Sequence, residues 1–229
     1  MCIAPSRRPG IVLGGVFSFR AVPVGGPELS DSYQLRIEVP PTFPHEIPKV
    51  TETGQRIPRD VSYHVNPDGT LCLGSPLRLL EIVRAKANLV SFAMEFLVPY
   101  LYAASHRLRH GGSFRFGELA HGPQGVIDDY ANLFRLQDRT QVIRVLQLLS
   151  KRPRIANRAP CPCGCRRRLG VCAFNASLRR FRGVASRSWF RAHAAELGGS
   201  RNEPRHPSRG GAPEPSTRQR PPELTERCR

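Results

Sequence analysis

The chain contains little that would carry it out of the cytoplasm. No charged, then apolar, then small-residue pattern follows Met1: Arg7 and Arg8 precede only a short apolar patch interrupted by Gly14 and Gly15. A secretory signal is therefore not expected, and the expected compartment is cytoplasmic. Long hydrophobic runs are equally scarce. The one stretch that resembles a membrane segment, Ala87 to Ala104, contains Glu95 and Pro99 and sits at the lower limit of bilayer-spanning length. Its Leu89, Phe92, Phe96, Leu97, Tyr100 and Leu101 recur at helical spacing, so a buried core helix is expected and a membrane contact is not. No internal repeat is present. Aromatic residues are thin in the last third, where Phe174, Phe181, Trp189 and Phe190 are the only ones, which gives stacking on nucleic-acid bases little support.

Acidic residues are also unevenly scarce. Residues 1–150 hold 16 Lys and Arg against 13 Asp and Glu, a net +3; residues 151–229 hold 19 against 5, a net +14. The expected reading is a nearly neutral folded part and a basic tail. Such a tail is either a solvated arginine-rich extension or a weak nucleic-acid contact through phosphates. A chain of 229 residues has room for one good core of about 150 residues plus an appendage. Four of the seven cysteines fall between Cys161 and Cys172. Without an export signal, that clustering favours metal ligation over disulfides.

Local pattern gives strands first and helices afterwards, an α+β order. Ile11 to Val22 reads as a strand. Tyr33, Leu35, Ile37 and Val39 alternate with Gln34, Arg36 and Glu38, as in a half-buried antiparallel strand. Pro40, Pro41, Pro44 and Pro48 force extended backbone, and Lys49 to Thr53 reads as a third strand. Asn66-Pro67-Asp68-Gly69 is a turn, with proline presetting φ and glycine accepting a positive φ. Thr70 to Gly74 follows it as a short extended piece carrying Cys72. Helices are expected over Leu77–Ala85, Leu89–Ser105, Gly125–Leu136 and Thr140–Ser150, with Asp138 and Gln141 starting the last. Asp128 and Asp129 are expected to open a helix by complementing its dipole. Lys151–Ala159 reads as a basic linker, Leu178–Leu197 as one or two short helices, and the polar residues 198–229 as a disordered basic tail. His121 reads as a cap or turn residue, and His106 and His110 lie one helical turn apart with no third ligand in view.

The order FSFRA, YQLRIEVP, Phe43-Pro44 with Pro48, then HVNPDGTLCLG ending near Cys72 resembles the ubiquitin-conjugating enzyme (E2) family in its divergent bacterial form. The resemblance spans about 90 residues, Phe17 to Ser105. It implies a UBC-like α+β domain over residues 11–105, an antiparallel sheet meander followed by helices, with a helical extension over 106–150. It further implies that Cys72 forms a thioester with the C-terminus of a ubiquitin-like protein received from an E1-like activating enzyme. Sulfur suits that work, because a thiolate attacks activated acyl groups and the thioester passes the acyl group on to an amine. The family's His-Pro-Asn positions hold Ser62, Tyr63 and His64 here. His64 therefore stands where the oxyanion-steadying Asn is expected. Its N–H can donate to an oxyanion, or it can serve only to cap the strand or bind a loop carbonyl. The family's usual N-terminal helix is not expected either, given Pro5, Pro9 and Gly10.

The segment CPCGCRRRLGVC resembles the SEC-C motif, a short zinc-binding hairpin of pattern Cys-x-Cys-x8-Cys-[Cys/His]. Cys161, Cys163 and Cys172 match it, and residues 151–197 would form the metal-binding segment with short helices. Ala173 stands where the fourth ligand is expected, which leaves Cys165, His193 and Cys228 as candidates. The expected cofactor is zinc in a structural role, since a closed four-ligand site supplies folding energy to a segment with little apolar area. Two functions follow from the resemblances: a thioester carrier acting through Cys72, or a non-catalytic UBC-fold adaptor docked through the zinc hairpin.

Overall fold

The computed structural model of the chain describes residues 2–4, 10–114 and 122–199. Four strands, β1 (Cys2–Ala4), β2 (Ile11–Ala21), β3 (Leu29–Val39) and β4 (Lys49–Glu52), form an antiparallel sheet in the order β1-β2-β3-β4. The register pairs Ile11 with Val39 and Ala21 with Leu29, so β2 and β3 face each other along their whole length. The alternation expected for β3 is observed: Tyr33, Leu35, Ile37 and Val39 are buried while Gln34 and Arg36 are exposed. A two-residue period places one face of the strand against the core and the other in water. The strand is longer than expected, because Leu29 joins the buried row at its start.

Helices follow the sheet. α1 (Pro76–Ala85) leads into a continuous helical stretch made of α2 (Leu89–Phe92), a π-helical segment (Ala93–Leu97) and α3 (Val98–His110). Asn88 caps its start by accepting from Ser91 N at 2.8 Å. The π segment has an identifiable cause. Pro99 has no N–H and its ring would crowd the preceding turn, and there the chain widens so that Val98 N–H reaches back to Ala93 O. Gly111, at φ +70, ends the stretch. This is the run with the membrane-like composition, and it is a core helix: Leu97, Leu101 and Ala104 are fully buried. Among the described residues, no helix is long and apolar enough to cross a membrane. α3 lies on the sheet, and Tyr33 and Ser105 share a buried hydrogen bond of 2.6 Å that ties it to β3.

The remaining helices, α4 (Gly122–Phe134), α5 (Arg139–Leu149), α6 (Pro153–Ala156), α7 (Phe174–Arg179) and α8 (Arg187–Gly199), build a second core. Asp138 caps α5 by accepting from Gln141 N at 2.8 Å, as its sequence position implied. Val142, Val145 and Leu146 of α5 are fully buried against Phe181 and Phe190. Leu77 and Leu80 of α1 also belong to this core, so α1 is shared between the two halves.

Two local readings are corrected. Residues 151–159 are not a linker: Ala156 is fully buried on α6, Leu169 N–H donates to Ala159 O at 2.8 Å, and Pro160 bridges Arg168. The stretch is basic because its arginines face water, while its small apolar residue packs inward. Neither Asp128 nor Asp129 opens a helix. α4 begins at Gly122, which places Asp129 in its middle, where it is buried. The tail from 200 onward, with Cys228, and His121 lie outside the described residues. His106 and His110 lie one turn apart, with their rings tilted at 49° and centroids 4.8 Å from each other.

Candidate thiol site and cysteine cluster

Cys72 is placed by a hairpin whose turn works as its residues require. Asn66 N–H donates to Thr70 O and Gly69 N–H to Asn66 O, both at 2.8 Å, with Gly69 at φ +82. The Asp68 carboxylate accepts from Thr70 N at 3.0 Å and from Thr70 Oγ1 at 2.6 Å, which lowers its pKa. Asn66 is consumed by this turn, since its Nδ2 donates to Thr70 Oγ1 at 2.9 Å. Below the turn, Val65 and Leu71 form a bridge and are both buried. The next pair outward is His64 and Cys72, where Cys72 N–H donates to His64 O at 2.7 Å. Cys72 is exposed and His64 half-buried. The two residues proposed for the chemistry therefore face each other across one rung of a hairpin anchored in the core.

His64 is held in an uncommon backbone state. It ends the 3-10 turn Val61–Tyr63 at φ 53, in the left-handed region, and its ring stands edge-on to Phe114 with centroids 4.8 Å apart. α3 fixes that turn from below. Tyr100 OH donates to Tyr63 O at 2.7 Å, the Arg107 guanidinium bonds Ser62 O, and its carbon lies 4.6 Å above the Tyr63 ring. Packing of atoms around the sulfur pushes the Cys72 thiol above its ordinary range, and the Gly74 N–H offsets part of that effect. At neutral pH the thiol is protonated, so its nucleophilicity depends on a base that takes the proton.

Sequence reasoning missed how the far side of this loop is held. Ser75, just beyond Cys72, donates its hydroxyl to the Asp129 carboxylate, and Arg78 Nε lies 2.8 Å from Asp129 Oδ1. Leu77 N–H donates to Tyr130 OH at 2.9 Å, and that hydroxyl in turn meets His193 Nε2 at 3.0 Å. Burial raises the Tyr130 pKa, so the group stays a neutral hydroxyl. The only sequence signal for this clamp was a pair of aspartates inside an apolar helix pattern.

The cysteine cluster is formed by residues that the fold brings together. Pro160 bridges Arg168, Cys161 N–H donates to Arg167 O at 2.8 Å, and Gly164 at φ +83 turns the hairpin. The Sγ atoms of Cys161, Cys163, Cys165 and Cys172 all lie within 4.8 Å of one another. Adjacent sulfurs are 3.2 Å apart for Cys161 and Cys163, 3.7 Å for Cys163 and Cys172, and 3.6 Å for Cys165 and Cys172. A tetrahedral ion with metal–sulfur bonds of about 2.3 Å sets sulfur–sulfur separations of about 3.8 Å, so the four sulfurs fit a metal cage. Cys165 is the residue positioned to offer a fourth sulfur. His193 does not, because its Nδ1 meets Glu196 at 3.1 Å while its Nε2 meets Tyr130. The Arg167 backbone N–H, with the neighbouring thiols, holds Cys165 down at about 6, whereas burial pushes Cys161 and Cys163 up. Cys161 and Cys172 are buried in the second core, so the cage is part of that core.

No protein-family model, curated protein or solved structure matches the chain.

Proposed function

We propose that this chain is an E2-like acyl carrier, in which Cys72 takes a ubiquitin-like protein from an E1-like activating enzyme as a thioester. The observation that carries the reading is the position of Cys72: exposed, one residue past a core-anchored bridge, after an antiparallel meander and directly before the helices. That order is the one the family resemblance implies for a UBC-like fold. In the first step the Cys72 thiolate attacks the modifier's C-terminal carbonyl; its S–C bond forms as the donor's S–C bond breaks and the donor thiolate leaves. In the second an amine attacks the same carbon; an amide C–N bond forms, Cys72 leaves as thiolate, and the amine proton passes to a base. His64, paired with Cys72 across the hairpin, is the residue proposed to steady the oxyanion.

The cysteine cage is proposed to hold zinc. An all-sulfur, four-donor, closed site suits a soft or borderline ion in a structural role, and zinc would there replace apolar area as a source of folding energy.

One observation favours a second reading, a non-catalytic adaptor. The Cys72 thiol is raised above its ordinary pKa, the opposite of the depression that activates many nucleophilic cysteines. The adaptor would recognise its partner through the UBC-like fold and dock through the cysteine module.

Incubation of the full chain with ATP, a cognate activating enzyme and its modifier separates the two. The carrier reading expects an adduct that is cleaved by reductant and absent in Cys72→Ala. A charged activating enzyme that transfers to another carrier but never to this chain overturns it.

A further inference from the structure

The basic charge of the last third does not reside mainly in its tail. Residues 151–199, which are folded, contain 12 Lys and Arg and one acidic residue, Glu196, a net +11; residues 200–229 contain 7 Arg and 4 Glu, a net +3. Eleven of those 12 basic residues are arginines, the side chain whose planar fork matches phosphate oxygens. The charge sits on a rigid body held by the second core, where it cannot spread out as it would on a free chain.

Within that body, Arg182, Arg187 and Arg191 converge with Ser186 and Ser188 on one open cleft of about 610 Å³. Arg187 and Arg191 are one turn apart on α8 and so share a face. None of the three forms an ion pair among the described residues. Arg182 carries a further sign: its Nη2 is buried and has no hydrogen-bond partner. A buried charged donor left unpaired costs more than a hydrogen bond is worth, and no acidic side chain offsets its charge beside the cleft. The first turn of α8 opens on the same cleft, and its dipole adds to the attraction.

We propose that this face of the cysteine module is a nucleic-acid docking surface, which grips the phosphodiester backbone at the Arg182–Arg187–Arg191 cleft. An extended backbone suits an open cleft on a body of net charge +11 better than a small enclosed anion does. A membrane surface fits less well, because the cleft lining offers no large apolar side chain to insert. Base reading is not expected: no aromatic side chain lines the cleft, and Trp189, beside Ser188 in sequence, packs on Phe190 and His193 with centroids 5.2 and 4.7 Å away. Binding is therefore independent of sequence and strongly dependent on salt.

The test uses the full chain, a labelled mixed-sequence DNA duplex and fluorescence anisotropy over about 50 to 200 mM salt. Three phosphate contacts at the cleft contribute about −2.7 to the slope of log K against log salt. Arg187→Gln with Arg191→Gln is expected to make that slope shallower by about 1.8 and to weaken binding at least roughly tenfold. Both positions are exposed on α8, and circular dichroism verifies that the double variant is folded. Arg20→Gln with Arg36→Gln, on the sheet, is the matched control and is expected to change neither quantity. Absence of binding overturns the proposal, and so does an unchanged slope in the α8 variant, which would assign binding to the tail. Tighter binding to vesicles rich in phosphatidylserine than to DNA overturns it in favour of a membrane.

Discussion

Arg78 Nε lies 2.8 Å from Asp129 Oδ1, joining the helix that follows the thiol loop to the middle of α4 in the second core. Ser75 uses the same carboxylate, so one buried acid holds both the cap and the first turn of α1. α1 has one foot in each core, and Asp129 is the polar fixture that orients it.

Asp129→Ala leaves the Ser75 hydroxyl and the Arg78 guanidinium without their acceptor. Arg78 is partly exposed and recovers some hydration, so the expected loss is roughly 2–3 kcal/mol, below that of a fully buried pair. Urea unfolding followed by Trp189, the single tryptophan, reads it in the second core. Asp129→Asn keeps an acceptor and should recover about half. A variant as stable as the parent would show that the clamp contributes nothing.

Acid sensitivity is expected at a different place. Asp31 meets Arg56 at 2.9 Å and Arg109 at 3.1 Å. Burial alone would raise its carboxyl, but the Arg56 hydrogen bond and the Ser32 N–H outweigh that and hold it at about 2, against an ordinary 3.8. A folded-state pKa below the unfolded value contributes stability above about pH 4, which is lost as pH falls toward 2. With both arginines half-exposed and screened, the contribution is about 1 kcal/mol. Asp31→Asn should therefore be about 1 kcal/mol less stable at pH 7, with the gap closing as pH falls through about 2. A gap that persists at low pH would refute the ion-pair account.

The parts of this fold legible in sequence are those set by short-range pattern. Alternation from Tyr33 to Val39 and helical spacing from Leu89 to Leu101 each depend on a period of two or 3.6 residues. The four-cysteine cluster was legible for the same reason, since all four sulfurs fall within twelve residues and only the choice among Cys165, His193 and Cys228 as a fourth candidate donor was open. Contacts between distant residues were not legible. Nothing local distinguishes Asp129, which packs against residues more than fifty positions away, from an ordinary helix-opening acid. Ala156 looks like linker because one alanine among arginines carries no period. The arginine cleft was hidden similarly: a count over residues 151–229 cannot tell a folded basic body from a basic tail.

Removal of metal should loosen one core and spare the other. Cys161 and Cys172 are buried among the residues of the second core, whereas the sheet's core contains none of the four cysteines. One ion per chain is expected by elemental analysis, and chelation should shift Trp189 fluorescence and lower the melting temperature of the second core. Cys165→Ser is expected to weaken metal binding at least tenfold, which would identify it as the fourth donor. Retention of stoichiometric metal by Cys165→Ser under competition with a chelator would exclude it.

Cys72 should react as an accessible but protonated thiol. Its exposure lets an alkylating reagent reach it, while its raised pKa keeps the thiolate fraction small at neutral pH. The iodoacetamide rate at Cys72, mapped by peptide mass spectrometry on the metal-loaded chain, is therefore expected to keep rising from about pH 7 through about pH 9 with no plateau in that range. His64→Ala tests whether the neighbour across the hairpin affects the sulfur. An imidazole that serves only to pack against Phe114 leaves the rate profile where it was, and one that interacts with the thiol displaces it. A plateau near pH 7 in the parent would mean an activated thiolate, and would remove the observation that favours the adaptor reading over the carrier.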